Sequence, residues 1–443
     1  MNCYPGGSLF GLAFPRIMKA VLLFLSLVLV HEFSWSKEER INVIFILADD
    51  VGYEQLGCYG GLQTDTPELD RIAEEGILFE RAYTSPVCTP SRMSIYTGLY
   101  GSHHKMMDVL PIHEGSRSKV DFDRDFACYA EKLREEGYRT AVTGKWQLGA
   151  LEYYPDHPNS AGFDEWCIWQ IWHDDHKSSR YWNPLYNQNG KLVPVTETSF
   201  GPDIMRDFVI GFMRESVESG KPFFIHHNLV LPHVPITRVP GQDVSSAGSL
   251  KDMIHYLDRE VGQIKEEIFR LGIEDHTILI FLGDNGTESA EVRYTRDGAV
   301  SGGKYDLNDA GMHVPLIAWG PCLAKHGITS DSLIDSTDLF ATFLDLTGVV
   351  DREKLATLSS DSRSFAPLLL GGTYQPRQFV TGAYQDDWVV FDGEWRLHAK
   401  DHQLIDCRDL PSEKIADNDS KETRDAMLRL LGYMIQMDEP THP

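Results

Sequence analysis

The 443-residue sequence has no internal repeat, no low-complexity tract and no collagen-like or coiled-coil composition. That excludes solenoids and fibrous architectures. Positive charge is scarce: 41 basic residues face 66 acidic ones, a formal net charge of −25. A general nucleic-acid coat is therefore excluded, and an anionic substrate must be drawn in by a local cationic pocket against the global field. Cysteine is scarce too. There are seven, and none forms a C-x-x-C pair, which argues against a structural zinc site. No apolar run near the N-terminus is long enough for a stable membrane span; "AVLLFLSLVLV" at 20–30 has eleven residues.

That run instead has the length of a signal-peptide core. Arg16 and Lys19 precede it, and Ser34-Trp35-Ser36 offers small residues around a cleavage point. Met18 is an alternative start, because "MKAVLLFLSLVL" is a complete signal by itself. Residues 1–36 are expected to be removed on export, leaving a secreted or periplasmic protein in an oxidising compartment. Cys3 would leave with them. Cys58, Cys88, Cys128, Cys167, Cys322 and Cys407 could form three disulfides, but their spacing does not decide any pairing. If Cys88 is chemically special, at least one other stays unpaired.

Four continuous apolar runs read as strands covered on both faces. They are "INVIFILADD" (41–50), "RTAVTGKW" (139–146), "PFFIHHNLVLPHVP" (222–235) and "HTILIFLGDNGT" (276–287). Helical segments lie between them. "TPELDRIAEEG" has Thr66 as cap, Pro67 at the first helical position and a terminal glycine. "DFACYAEKLREEG" (125–137) also ends in glycine. Residues 249–272 place Leu250, Ile254, Leu257, Val261, Ile264, Ile268 and Leu271 on one stripe, which fits a helix packed on a sheet. Strands alternating with helices give an α/β fold.

In such folds ligands bind beyond the carboxyl ends of the strands. Those ends carry Asp49, Asp50, Lys145, His233, Asp284 and Asn285. Each has a dull reading as a turn or surface residue. Together they supply hard oxygen ligands for Ca²⁺ or Mg²⁺ and cationic groups for an oxyanion. In "SPVCTPSRMSIYTG" (85–98), Thr89 reads as an N-cap and Pro90 as the first helical residue. Cys88 then sits at a helix N-terminus, where partial positive charge favours anions and activates a nucleophile.

"CTPSRMSIYTG" resembles the C-x-P-S-R signature of the type I formylglycine-dependent sulfatase family. "ADDVGYEQLGCYGG" (48–61), "GYRTAVTGKWQLG" (137–149), "LPHVP" (231–235), "GDNGT" (283–287) and "SGGKYDLNDAGMHVP" (301–315) follow in that family's order. The likeness is strong over 41–320 and weaker to about 420. It implies an alkaline phosphatase-like fold: a central mixed, mostly parallel sheet flanked by helices, with a small C-terminal antiparallel subdomain. The expected division is 37–370 for the catalytic domain and 371–443 for the subdomain.

The resemblance further implies that a maturation enzyme oxidises Cys88 to formylglycine (3-oxoalanine), whose hydrate is the nucleophile. Ca²⁺ would be held by Asp49, Asp50, residue 88, Asp284 and Asn285. Arg92 would hold the formylglycine oxyanion, Lys145 and Lys304 the sulfate oxygens. His233 would contact sulfate or protonate the leaving alcohol together with Lys304. The expected activity is hydrolysis of a sulfate ester, on a sulfated carbohydrate. The alternatives are a phosphoester or phosphonate monoester hydrolase of the same superfamily, or a non-catalytic binder of sulfated glycans.

Two departures stand out. Gln147 replaces a histidine of the family pattern that helps expel sulfate, and an amide cannot take a proton there; water, His226 or His227 are candidate substitutes. Asp309, Ala310 and His313 replace the usual E-G-G-x-R. The segment 165–191 is rich in aromatics. Trp166, Trp169 and Trp172, three apart, read as a core-facing helix, with stacking on sugar rings as the alternative, while His173 and His176 are candidate substrate contacts.

Overall fold

The computed structural model describes Met1 and residues 40–350, 352–355, 358, 360–417 and 420–438. The expected export segment, including Cys3, lies outside the described residues apart from Met1. Ten strands form the main sheet. In chain order they are β1 (Asn42–Asp49), β2 (Ile77–Tyr83), β3 (Arg139–Gly144), β4 (Glu165–Trp169), β5 (Tyr186–Gln188), β6 (Lys191–Val193), β7 (Phe223–Pro232), β8 (Thr277–Gly283), β9 (His313–Trp319) and β10 (Ile328–Asp335). In space they run β10-β2-β9-β8-β1-β7-β3-β4-β5-β6. The strands from β8 to β4 in that order are mutually parallel, and β9, β5 and β6 run antiparallel to their neighbours. This is the α/β, mixed and mostly parallel sheet expected from the sequence.

Helices cover both faces. They are α1 (Pro67–Glu75), α2 (Cys88–Thr97), α3 (Tyr129–Glu135), α4 (Gly201–Glu218), α5 (Leu250–Leu271) and α6 (Asp338–Leu346). The two-residue period of β1 decides which side chain meets which helix. Ile44, Ile46 and Ala48 enter a core with Leu69 of α1, Val209 of α4 and Leu257 of α5. Phe45 points the other way, its ring 5.1 Å from Phe343 of α6. Asp49 shares the face of Phe45, so β1 delivers its carboxylate toward α2. Ile254, Leu257, Val261, Ile264 and Ile268 of α5 are all fully buried. At about 1.5–3 kcal/mol each, their burial outweighs any helix-propensity difference in that stretch.

A second, antiparallel sheet follows: β11 (Val380–Tyr384), β12 (Asp387–Phe391), β13 (Trp395–His398), β14 (Leu404–Asp409) and β15 (Ser412–Ile415). Helix α7 (Lys421–Asp438) packs Ala426, Leu430 and Met434 on Trp395, Leu397 and Leu404. This sheet is tied to the main one by Thr381 N–H, which donates to Asp335 Oδ2 (2.7 Å). Ala383 N–H donates to Ser85 Oγ (3.1 Å), three residues before Cys88. No helix among the described residues is long and apolar enough to cross a membrane.

Three details differ from the sequence reading. Residues 165–169 form a strand rather than a helix. A spacing of three then puts Trp166 and Trp169 on opposite faces, each buried, with indole N–H donating to Asn187 and Ser178 respectively. Helix α2 starts at Cys88, capped by Val87, not at Pro90. The Thr89 hydroxyl is instead engaged by Leu110 N–H (3.0 Å). Finally, all six described cysteines are free thiols, so no disulfide option is realised.

Glu260 of α5 lies fully buried under the sheet. Neither carboxyl oxygen has a hydrogen-bond partner, and Arg206 Nη1 is 3.6 Å away. Burial raises its pKa from 4.5 to about 8 despite Arg206. The folded state thus holds a proton that the unfolded chain loses above about 4.5, so this group's stabilising contribution falls as pH rises toward 8. Glu260→Gln is expected to raise the melting temperature at pH 8 and to leave it unchanged at pH 4, as measured by calorimetry.

Candidate active site

The parallel strands β1, β3, β7 and β8 end at one edge, and each end carries a charged or amide side chain. The β8 ladder continues past its last strand residue: Asp284 N–H donates to Ala48 O (2.9 Å). Asp50 turns at φ 69°, and its N–H meets Asp284 Oδ1 at 3.0 Å. Gly144 precedes Lys145 at φ 91°, where a Cβ would lie 1.5 Å from Asn228 O. Only glycine lets β3 come this close to β7, and the approach sets the root of Lys145.

The side chains form a buried ion lattice. Lys145 Nζ donates to Asp49 Oδ1 (2.6 Å). Arg92, fully buried on α2, donates to Asp284 Oδ2 (2.7 Å), Asn228 Oδ1 (2.6 Å) and Lys145 O (3.0 Å). Lys304 Nζ donates to Asp50 Oδ2 (2.7 Å) and lies 3.2 Å from His233 Nε2. His233 Nδ1 donates to Val234 O (2.8 Å), which leaves Nε2 as acceptor for Lys304. Burial pushes the His233 imidazole down to about 4. Burial also pushes Asp284 up to about 6, with Asp49 adding to it against Arg92. For Asp49, burial is outweighed by Lys145, His233, Arg92 and Arg180, which hold the carboxyl well below the usual range.

The donor set fits a hard cation. Asp49, Asp50 and Asp284 are carboxylates, and ligand atoms of Asp49, Asp50 and His233 lie within 4.8 Å of one another. Asn285 gives both its amide hydrogens away, to Asp50 Oδ1 and Gly286 O (2.9 Å each). Its Oδ1 is buried and has no partner. An orphaned carbonyl oxygen among carboxylates lacks only a cation to satisfy it.

Cys88 is buried at the start of α2, one turn before Arg92 on the same helix. Gln147 sits at φ 57°, and its Nε2 donates to Leu110 O (3.3 Å), whose own N–H meets Thr89. It thus borders the site without joining the ion lattice. His226 and His227 are fully buried in the middle of β7, with His226 stacked on Tyr96; neither lies at the carboxyl edge. His173 and His176 lie on a short ribbon, where His173 clusters with Glu152 and Asp174. No contact links them to the lattice. His313 fills its altered motif by stacking between Tyr53 and Tyr83 and pairing with Asp309 at 3.4 Å.

Two site residues escaped the sequence reading. Arg180, over the Trp169 ring, donates to Asp49 Oδ2 (3.3 Å). It was hidden in the aromatic segment. Asn228 orients Arg92, and the signal was a polar residue inside an apolar strand.

The mixed, mostly parallel sheet with one charged carboxyl edge is the alkaline phosphatase-like fold. Residues 41–349 match the family described as Sulfatase. The chain belongs to the sulfatase family and is a sulfuric ester hydrolase. It is 28% identical to the N-acetylgalactosamine-6-sulfatase of Canis lupus familiaris, over 81% of this chain and 71% of that protein. It is 26% identical to the N-acetylgalactosamine-6-O-sulfatase of Bacteroides thetaiotaomicron, over 83% and 84%. Its fold matches the crystal structure of Ps i-CgsB in complex with k-i-k-neocarrahexaose. There the TM-score is 0.75 at 23% identity, covering 91% of this chain and 94% of that one.

Proposed function

We propose that this protein removes a sulfate ester from a saccharide, using residue 88 as formylglycine and Ca²⁺ held by Asp49, Asp50, residue 88, Asp284 and Asn285. The observation that carries the reading is the orphaned Asn285 Oδ1 among three carboxylates, ringed by Arg92, Lys145 and Lys304. The names of the two N-acetylgalactosamine-6-sulfatases support a sugar as the alcohol. When bound, Ca²⁺ would polarise a sulfate oxygen, and the hydrated formylglycine would supply the attacking hydroxyl.

The chain's own residues do the rest. Lys145 and Lys304, both almost fully buried, neutralise the sulfate oxygens where each charge counts for more than in water. Arg92 is immobilised by three acceptors and presents a fixed positive charge to residue 88. The Lys304–His233 pair supplies the N–H that protonates the departing alcohol. Export after removal of 1–36, encounter with the maturation enzyme, and the 37–370 and 371–443 division complete the proposal.

The test is liberated sulfate, measured by ion chromatography across a panel of sulfated saccharides. Release from at least one of them is expected. Silence across the panel, with residue 88 shown to be modified, would overturn the saccharide reading.

Gln147 bears on the last step. With no general base at that position, sulfate expulsion is expected to limit turnover. The alcohol should appear in a pre-steady-state burst matching enzyme concentration, with sulfate lagging. Gln147→His should shrink the burst and raise the steady rate by up to about 100-fold. No burst, together with a slower variant, would show that Gln147 is fitted to its own substrate.

A further inference from the structure

Tyr305 follows Lys304 and adopts φ 78°. A bulky residue holds that left-handed conformation only where its surroundings impose it. Here Tyr305 N–H donates to Pro86 O (3.0 Å), two residues before Cys88. The strain does not serve burial, for the residue is 40% exposed. Its ring lies 5.3 Å from Lys304 Nζ, which donates to Asp50 Oδ2 at 2.7 Å. The ring therefore stands at the mouth of the catalytic lattice.

A second ring meets it from the other sheet. Tyr384 ends β11, with its centroid 5.9 Å from that of Tyr305 and the planes at 52°. Gln385 N–H donates to Met107 O (2.7 Å) and its Nε2 donates to the Tyr384 hydroxyl (3.1 Å). The C-terminal sheet thus holds this ring against the catalytic domain.

We infer that Tyr305 and Tyr384 form the subsite for the sugar ring of the substrate, stacking its C–H face. This rests on the saccharide-sulfatase reading above and adds how the alcohol is chosen. Aromatic faces flanked by a few polar groups are the usual composition of such sites.

The test is calorimetric binding of a singly sulfated monosaccharide to the Cys88→Ala protein, which does not turn it over. Adding Tyr305→Gly, which suits the positive φ and preserves the fold, should weaken binding about tenfold. Tyr384→Ala should do the same, while Tyr305→Phe should bind like the parent. In the active enzyme, kcat/KM for the saccharide sulfate should fall by a similar factor and that for a ring-less alkyl sulfate should not. Equal binding by the parent and Tyr305→Gly, or equal loss on both esters, would overturn the subsite alone. A parent that binds no sulfated saccharide would overturn the saccharide reading and the subsite with it.

Discussion

Cys88→Ala is expected to release no measurable sulfate, a loss of roughly four orders of magnitude or more, as befits removal of a covalent nucleophile. The fold should survive. Cys88 is a small buried side chain at the start of α2, and losing one sulfur costs about 1 kcal/mol. The helix is held by other groups: the Ser91 hydroxyl donates to Ser85 O and Val87 O, and Thr89 accepts from Leu110. The companion measurement is the mass of the peptide carrying residue 88 from active enzyme. It should be about 18 Da lighter than the thiol form, from replacing sulfur chemistry by an aldehyde. An active preparation in which Cys88 remains entirely thiol would contradict the assignment.

Asp50→Asn and Asp284→Asn are expected to lower bound Ca²⁺ and activity together, with activity falling by about 10³-fold. Each substitution keeps the shape and removes one charge. Their side effects differ, which makes the pair informative. Asp50→Asn removes the charge that pairs buried Lys304 at 2.7 Å, leaving it His233 Nε2 at 3.2 Å and Glu288 at 3.6 Å, so this variant should also be less stable by a few kcal/mol. Asp284→Asn leaves Arg92 its contacts to Asn228 and Lys145 O and should keep more of its stability. Elemental analysis and calorimetry separate the two effects. Undiminished metal in both variants would mean that the cation is held elsewhere.

Much of this site was legible because the relevant residues end strands. Asp49, Asp50, Asp284 and Asn285 each terminate a continuous apolar run, and parallel pairing must then bring them to one edge. Lys145 and His233 follow for the same reason. What escaped detection was chemistry carried by residues in less orderly places. Arg180 reaches Asp49 from a loop whose register no periodicity fixes. Asn228 sits inside an apolar strand, where its purpose emerges only once Arg92 is seen beside it. The tryptophan spacing misled because i, i+3 suits a helix face, whereas the partners supplied by β3 and β5 made 165–169 a strand. Tertiary pairing overrode a local pattern there, as it commonly does in β structure. The start of α2 shifted for a smaller reason: the Thr89 hydroxyl had a distant partner in Leu110 and was not available as a cap.

The reaction itself is tested most directly by comparing a sulfate ester and a phosphate ester of one saccharide alcohol, with kcat/KM measured for each on metal-loaded enzyme whose residue 88 is fully converted. The lattice of Arg92, Lys145 and Lys304 against Asp49, Asp50 and Asp284 predicts the sulfate ester as the preferred substrate, with free sulfate and intact saccharide as products. Faster turnover of the phosphate ester, or of a phosphonate monoester, would contradict the account.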